Sequence, residues 1–273
     1  MRRVMSDPRF VVSGIFLLVL FFLAVFGAQV APYPEDRVNA AQQLKPPSPG
    51  YLLGTDEFGR DILTRIILGA QLTMLVSLGS VGIAALAGTA MGLIGGYFGG
   101  WIELVLMRTV DAMLSFPPFV LAIFVLTFLG PKLENLIVTI GILFIPRYAR
   151  VAHVVTLAAK EKDYVEAARA IGARSWRIIV RAVLPNVFAP LIVQISLGVG
   201  SAILIESGLS FLGLGPPPPA ASWGRSIQQS ARFMQLNPHV VIWPSLAISA
   251  AVLAFNIIGD SLRDSLDPRL RII

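Results

Sequence analysis

The sequence predicts an all-α integral membrane protein that crosses the bilayer six times, and three observations carry that prediction. Only 14% of the 273 residues are charged and 55% are hydrophobic, whereas a soluble domain carries about 25% charged residues. The mean hydropathy is +0.75, and the apolar residues gather in runs near the ~20 needed for a transmembrane helix. Lysine and arginine concentrate in alternate connecting segments, as the positive-inside rule requires. The formal charge of +6 therefore has a topological origin, and nucleic acid is not expected as a partner. The absence of cysteine excludes disulfides, thiolate metal sites and cysteine nucleophiles.

The six spans are expected at residues 11–30, 70–97, 104–129, 135–157, 187–207 and 240–262. Residues 1–30 form a first unit, a short N-terminal segment and its span. Arg2, Arg3 and Arg9 precede that span, but its apolar run is too long for a signal peptide. Ala31-Pro32-Tyr33-Pro34 is also a poor cleavage site, so the span reads as a retained anchor. Residues 31–69 form an extracytoplasmic loop in which "GTDEFGRD" (Gly54 to Asp61) offers Thr55 and Asp56 as N-caps of a short solvated helix.

A core of five spans follows over residues 70–262. The second span carries Ser80, Ala84, Gly88, Gly92 and Gly96 at helical spacing, a stripe that lets a neighbouring helix approach closely. In the third, Arg108 and Asp111 sit three apart and are expected to pair. The fifth repeats every four residues through Gln194, Gly198, Ala202 and Glu206, giving one small or polar face. Its exit, "GPPPPAASWG" (Gly215 to Gly224), requires an extended path because proline cannot propagate a helix. Asp260, at the end of the sixth span, is placed to pair with Arg263, and residues 263–273 form a tail. His153 and His239 fall on opposite sides, so no metal site is expected.

With the N-terminus inside, fifteen Lys and Arg fall in inner segments and seven in outer ones. Both termini are therefore expected in the cytoplasm, together with the segment joining the fourth and fifth spans. That segment, "EAARAIGARSWRIIVRAVLP" (Glu166 to Pro185), has a helical rhythm broken at Gly172. Tyr164, Val165, Ala168 and Ile171 share one face of a first helix; Lys162, Glu166 and Arg169 share the other. A second helix sets Trp176, Ile179, Val180 and Val183 against a basic stripe of Arg174, Arg177 and Arg181, and Pro185 opens the next span. Trp and Arg suit a headgroup interface. Ala167, Ala168 and Ala170 are too small to anchor in lipid and suit close docking to another protein.

Glu166-Ala167-Ala168, Gly172 and Leu184-Pro185 resemble the "EAA" loop in the inner-membrane permeases of bacterial ABC importers, with Ala182 where isoleucine is usual. Four more stretches resemble the second permease of the dipeptide, oligopeptide and nickel branch. They are "LGTDEFGRDILTRIILGAQ" (Leu53 to Gln71), "GGWIELVLMRTVDAMLSFPP" (Gly99 to Pro118), "ESGLSFLGLGPPPPAASWG" (Glu206 to Gly224) and "GDSLRDSLDPRLR" (Gly259 to Arg271). Gln71, Pro216, Pro217, Ala221, Ser261 and Ser265 depart from common family residues.

The resemblance implies a type I ABC importer permease fold in a bacterial inner membrane. It also implies a coupling helix at about 162–172 that docks on an ATPase through Tyr164, Glu166, Ala167, Ala168, Arg169 and Gly172. The implied partners are a homologous permease, two ABC ATPase subunits and an extracytoplasmic solute-binding protein. The implied cargo is a di- or oligopeptide, with a nickel chelate or other small solute as the alternative. Gln194, Gly198, Ala202 and Glu206 are candidates for the translocation path, although Glu206 equally suits the membrane interface.

No engine is expected on this chain. A P-loop needs Gly-Lys, and the four lysines follow Leu44, Pro131, Ala159 and Glu161. ATP and Mg therefore belong to partner subunits, and no catalytic residue or cofactor is expected here. An intramembrane aspartyl protease is disfavoured because "IIGD" lacks the first glycine of Gly-x-Gly-Asp. A secondary transporter would show internal repeats and buried charge relays, and neither is evident.

Overall fold

A computed structural model describes residues 7–266, and among them there are ten α-helices, three short 3-10 or π turns and no β-strand. Helix α1 (Pro8–Val30) starts where Asp7 accepts a hydrogen bond from the Arg9 amide and proline fills the first turn. After the connecting loop, α2 (Ile62–Phe98) begins at Asp61, whose carboxylate accepts from the Thr64 amide at 2.8 Å. Then come α3 (Gly100–Leu114), α4 (Pro118–Leu129) and α5 (Leu133–Lys160). A connecting elbow holds α6 (Asp163–Ala170) and α7 (Ser175–Ile178), a π-turn (Ile179–Val183) leads into α8 (Leu184–Phe211), and α9 (Trp223–Ser230) and α10 (His239–Leu266) complete the order.

Among the described residues, five helical stretches are long and apolar enough to cross a membrane, and the α3–α4 pair raises the number to six if counted as one broken span. That pair corrects the expected continuous span 104–129, because the chain bends by 88° between the two helices. Pro117 and Pro118 stand at the bend, and proline cannot continue a helix through its missing amide. A second correction concerns the loop, which ends eight residues early because residues 62–69 already belong to α2. Residues 263–266 belong to α10 rather than to a tail, and 267–273 lie outside the described residues.

Helices α2 and α5 form the most extensive helix pair, and the small-residue stripe makes it possible. Ser80, Ala84, Gly88, Gly92 and Gly96 are all buried in that contact or beside it. A Cβ at Gly88 would lie 2.5 Å from the Ile145 carbonyl oxygen, and one at Gly92 would strike the Ala149 carbonyl. The two backbones therefore touch directly. Ser80 Oγ adds a hydrogen bond to the Ile137 carbonyl at 3.0 Å. Helix α8 packs against α2, α5 and α10, and α1 flanks α2 and α10. Buried apolar residues from all of these form one core, including Val76, Leu136, Phe144, Tyr148, Val199 and Ile203.

The bundle has two distinct ends. One carries the elbow, and the other a cap built from the 31–61 loop, the proline-rich loop and α9.

Candidate functional site

The elbow is fixed to the bundle by a few contacts and otherwise lies open. Lys160 Nζ donates to the Gly96 carbonyl at 2.9 Å, tying the end of α5 to the end of α2. Arg169 stacks its guanidinium 5.3 Å from the Tyr97 ring. Val165 is the only buried residue of α6. Ile178, Ile179 and Val183 anchor the second limb in the core.

Gly172 ends α6. Its φ of +76° is a left-handed conformation that glycine adopts without steric cost. The Ala173 amide returns to the Ala168 carbonyl at 3.0 Å and the Gly172 amide to Arg169 at 2.9 Å, the paired bonds of a Schellman cap. No neighbour lies within 4 Å of a Cβ built at Gly172, so the position is constrained by its backbone and not by packing.

Of the predicted docking residues, Tyr164, Glu166, Ala167, Arg169 and Gly172 are exposed and Ala168 is half-buried. Tyr164 Oη accepts from Asn186 Nδ2 at 3.1 Å, which joins α6 to the start of α8. The apolar face predicted for α6 is only partly formed: Val165 faces the core, while Tyr164 is 46% and Ile171 85% exposed. Ile171 leaves the face because the helix has already ended at Ala170. In the second limb Trp176 is 71% exposed, and Ile178, absent from the expected stripe, is buried instead. The cause is the π-turn at 179–183, which shifts the helical register by one residue. The second limb is not separate from the next span but runs on into α8 as one continuous helical stretch, Ser175–Phe211.

The face of α8 that repeats every four residues lies mostly inside the chain. Gly198, Ala202 and Glu206 are buried. A Cβ at Gly198 would collide with the Tyr148 hydroxyl, which itself donates to the Gln194 carbonyl at 3.2 Å. Gln194 is half-buried and borders a cavity of about 460 Å³ between α5, α8 and α10. Glu206 accepts from Ser210 at 2.7 Å, Ser222 at 3.2 Å, Ser207 at 3.3 Å and Thr73 at 3.4 Å.

The cap overturns the expectation of a solvated "GTDEFGRD". Thr55, Asp56, Glu57, Arg60 and Asp61 are all buried. Asp56 and Arg60 form an ion pair at 2.6 Å, and Arg60 also donates to Gln229 at 3.1 Å. Ser230 Oγ donates to Glu57 at 3.0 Å. Thr55 and Asp56 cap no short helix; the N-cap is Asp61, for α2. The partner that buries this loop is α9, a helix missed in the sequence. Its signal was nonetheless present in Ser222, an N-cap residue that accepts from the Arg225 amide. Arg65 Nη1 reaches the Pro219 carbonyl at 3.1 Å, pinning the proline-rich loop to α2. Arg225 donates to the Gly215 carbonyl at 3.0 Å, and desolvation pulls its pKa below the ordinary guanidinium value.

Neither expected ion pair forms among the described residues. Asp111 pairs with Arg150 of α5 at 2.7 Å rather than with Arg108 on its own helix. Asp260 makes no ion pair with Arg263 among the described residues. His153 meets Glu103 at 2.9 Å.

Comparison with known proteins settles the family. Residues 88–272 match the model of binding-protein-dependent transport system inner membrane components. The chain belongs to this family. As such a component it carries a second match over residues 1–47, to the N-terminal transmembrane domain of oligopeptide transport permease C. It is 40% identical over 268 residues to the dipeptide transport system permease protein DppC of Alkalihalophilus pseudofirmus, covering 98% of this chain and 88% of that one. It is 38% identical to the glutathione transport system permease protein GsiD of Pectobacterium atrosepticum, covering 99% and 90%. It is also 38% identical to the DppC of Haemophilus influenzae, covering 94% and 89%. The resemblance to the DppC and OppC branch of ABC permeases is thus shown, with the type I permease fold and an inner-membrane, multi-pass location.

Proposed function

We propose that this chain is one permease subunit of an ATP-driven importer that takes up short peptides delivered by an extracytoplasmic binding protein. It pairs with a homologous permease, and two ABC ATPase subunits hydrolyse ATP on its behalf. The elbow end faces the cytoplasm with both termini, and the cap end faces the binding protein. The reading is supported by near-full-length relatives named for dipeptide and glutathione transport.

The observation that carries the mechanism is the open elbow. Its helix α6 buries a single residue, yet it is seated at the start of a stretch, Ser175–Phe211, that runs the length of the bundle. Tyr164, Glu166, Ala167, Ala168, Arg169 and Gly172 form the surface gripped by the ATPase. ATP-driven closure of the ATPases displaces the elbow, and α8 reorients the solute path. In that path Gln194 contacts solute from its cavity, while Gly198, Ala202 and Glu206 shape the wall from behind.

The test reconstitutes the permease pair, ATPases and binding protein in vesicles. ATP-dependent uptake of a labelled dipeptide is expected, and a crosslinker on Glu166→Cys should capture an ATPase subunit; the chain has no other cysteine. Uptake by the permeases alone, or an elbow that never crosslinks to an ATPase, overturns the reading. Uptake of a nickel chelate with no uptake of peptide overturns the cargo alone.

A further inference from the structure

Glu206 is a carboxylate that nothing in the docking mechanism uses, and it is fully buried. Among the described residues it has no ion-pair partner. Burying such a group is costly unless hydrogen bonds replace the lost water. Here four hydroxyls do so, and they come from three elements: Thr73 from α2, Ser207 and Ser210 from α8, and Ser222 from the start of α9.

Ser222 links this cluster to the cap. It is the N-cap of α9, so its hydroxyl serves both the carboxylate and the end of the helix. The neighbouring backbone is in direct contact: a Cβ at Gly224 would collide with the Ser207 carbonyl, and one at Gly215 with the Ser210 side chain. Trp223, buried beside them, donates its indole N–H to the Ile66 carbonyl at 3.0 Å. Glu206 also stands near the far end of the continuous stretch Ser175–Phe211, whose near end is the elbow. The separation from Trp176 to Glu206 is about 45 Å at the helical rise.

We propose that Glu206 is a positioning residue that clasps α9 and the proline-rich loop to the far end of α8. Displacement of the elbow is thereby delivered to the cap, where the binding protein releases its solute. Hydroxyls rotate freely, so the clasp is held by hydrogen bonding and not by charge. A neutral amide in the same place satisfies the same four groups, whereas an alkyl group satisfies none. The proposal rests on the coupling role assigned to the elbow.

The experiment compares Glu206→Gln, Glu206→Leu and Ser222→Ala in the full reconstituted complex. Basal ATPase is expected to stay within about twofold in Ser222→Ala. Stimulation by loaded binding protein should fall about tenfold or more in Glu206→Leu, about threefold in Ser222→Ala and less than twofold in Glu206→Gln, within the usual range of coupling between distant sites. Spin labels on Leu212→Cys and Gln228→Cys, both exposed, report the clasp without any ATPase. Their distance distribution should be narrow in the parent and in Glu206→Gln, and broad in the other two. Narrow distances with full stimulation in Ser222→Ala overturn the proposal, and Ser222→Ala decides if Glu206→Leu does not assemble. Loss in Glu206→Gln equal to that in Glu206→Leu overturns it too, since charge would then be the agent. If the labels broaden while the elbow fails to crosslink to an ATPase, the clasp stands and the coupling reading falls.

Discussion

The cap and the elbow handle polar side chains in opposite ways. At the cap, Asp56, Glu57, Arg60, Asp61 and Arg65 are each under 9% exposed. Asp56 pairs with Arg60 in its own loop, and the other four reach partners on α2, α9 or the proline-rich loop. At the elbow, Glu166, Arg174, Arg177 and Arg181 stand in the open, and Ile171 and Trp176 stand with them. Desolvating a charge is costly unless partners within the chain replace the lost water. Each of these side chains has at least one such partner, although Glu57 Oε1, Asp61 Oδ1 and Arg65 Nε remain without one. The cap is closed mainly from within the chain. Exposed apolar and charged groups mixed on a short helix leave contacts unmade. On the proposed reading, an ATPase subunit supplies the contacts that the elbow lacks.

That contrast is most severely tested by Arg60→Ala, which removes one member of a buried ion pair and strands Asp56. A loss of about 3–5 kcal/mol is expected, read as a large drop in the melting temperature of the purified permease pair. A melt unchanged from the parent would mean that the cap is not the self-contained unit described. Gly172→Leu comes next. A branched side chain in the left-handed region costs about 1–2 kcal/mol, charged to the α6 cap alone. The melt should barely move while peptide uptake in vesicles falls about tenfold or more, the equivalent of ~1.4 kcal/mol; normal uptake would remove the hinge role.

Glu166→Ala sharpens the contrast further. As an exposed substitution it should change stability by less than about 0.5 kcal/mol, while pull-down of the ATPase by the permease pair weakens measurably. Equal retention of ATPase would show that the elbow's open charge serves solubility only. The smallest effect belongs to Asp111→Asn. Its pair with Arg150 is roughly half exposed on both sides, so about 1 kcal/mol or less is at stake. The difference between the two proteins should vanish in high salt.

The difference between the two regions also decided what could be read from the sequence. The elbow is local: Gly172, the alanines and Pro185 lie within twenty-odd residues, and their roles follow from helix capping. The small stripe on α2 was legible for the same reason, since Gly88, Gly92 and Gly96 state a close approach whatever the neighbour is. The cap is non-local. Arg60 meets Gln229 and Glu57 meets Ser230 from the far part of the chain, so alternating charges in "GTDEFGRD" read as solvated until α9 is in place. Arg65 lowered the apparent hydropathy at the start of α2 and hid eight helical residues. The break between α3 and α4 was written openly in Pro117-Pro118, but the apolar run on either side outweighed it. The register shift that buries Ile178 comes from a π-turn, for which the sequence carries no distinct signal.

The seam between α2 and α5 has a consequence for motion. Where the Gly92 backbone meets the Ala149 carbonyl there is no side chain left to change rotamer, so this joint cannot yield by small adjustments. The two helices must travel together, as a keel about which the rest of the molecule turns. In any second conformation the spacing across that line should be preserved to within thermal motion, while every larger distance in the bundle is free to change.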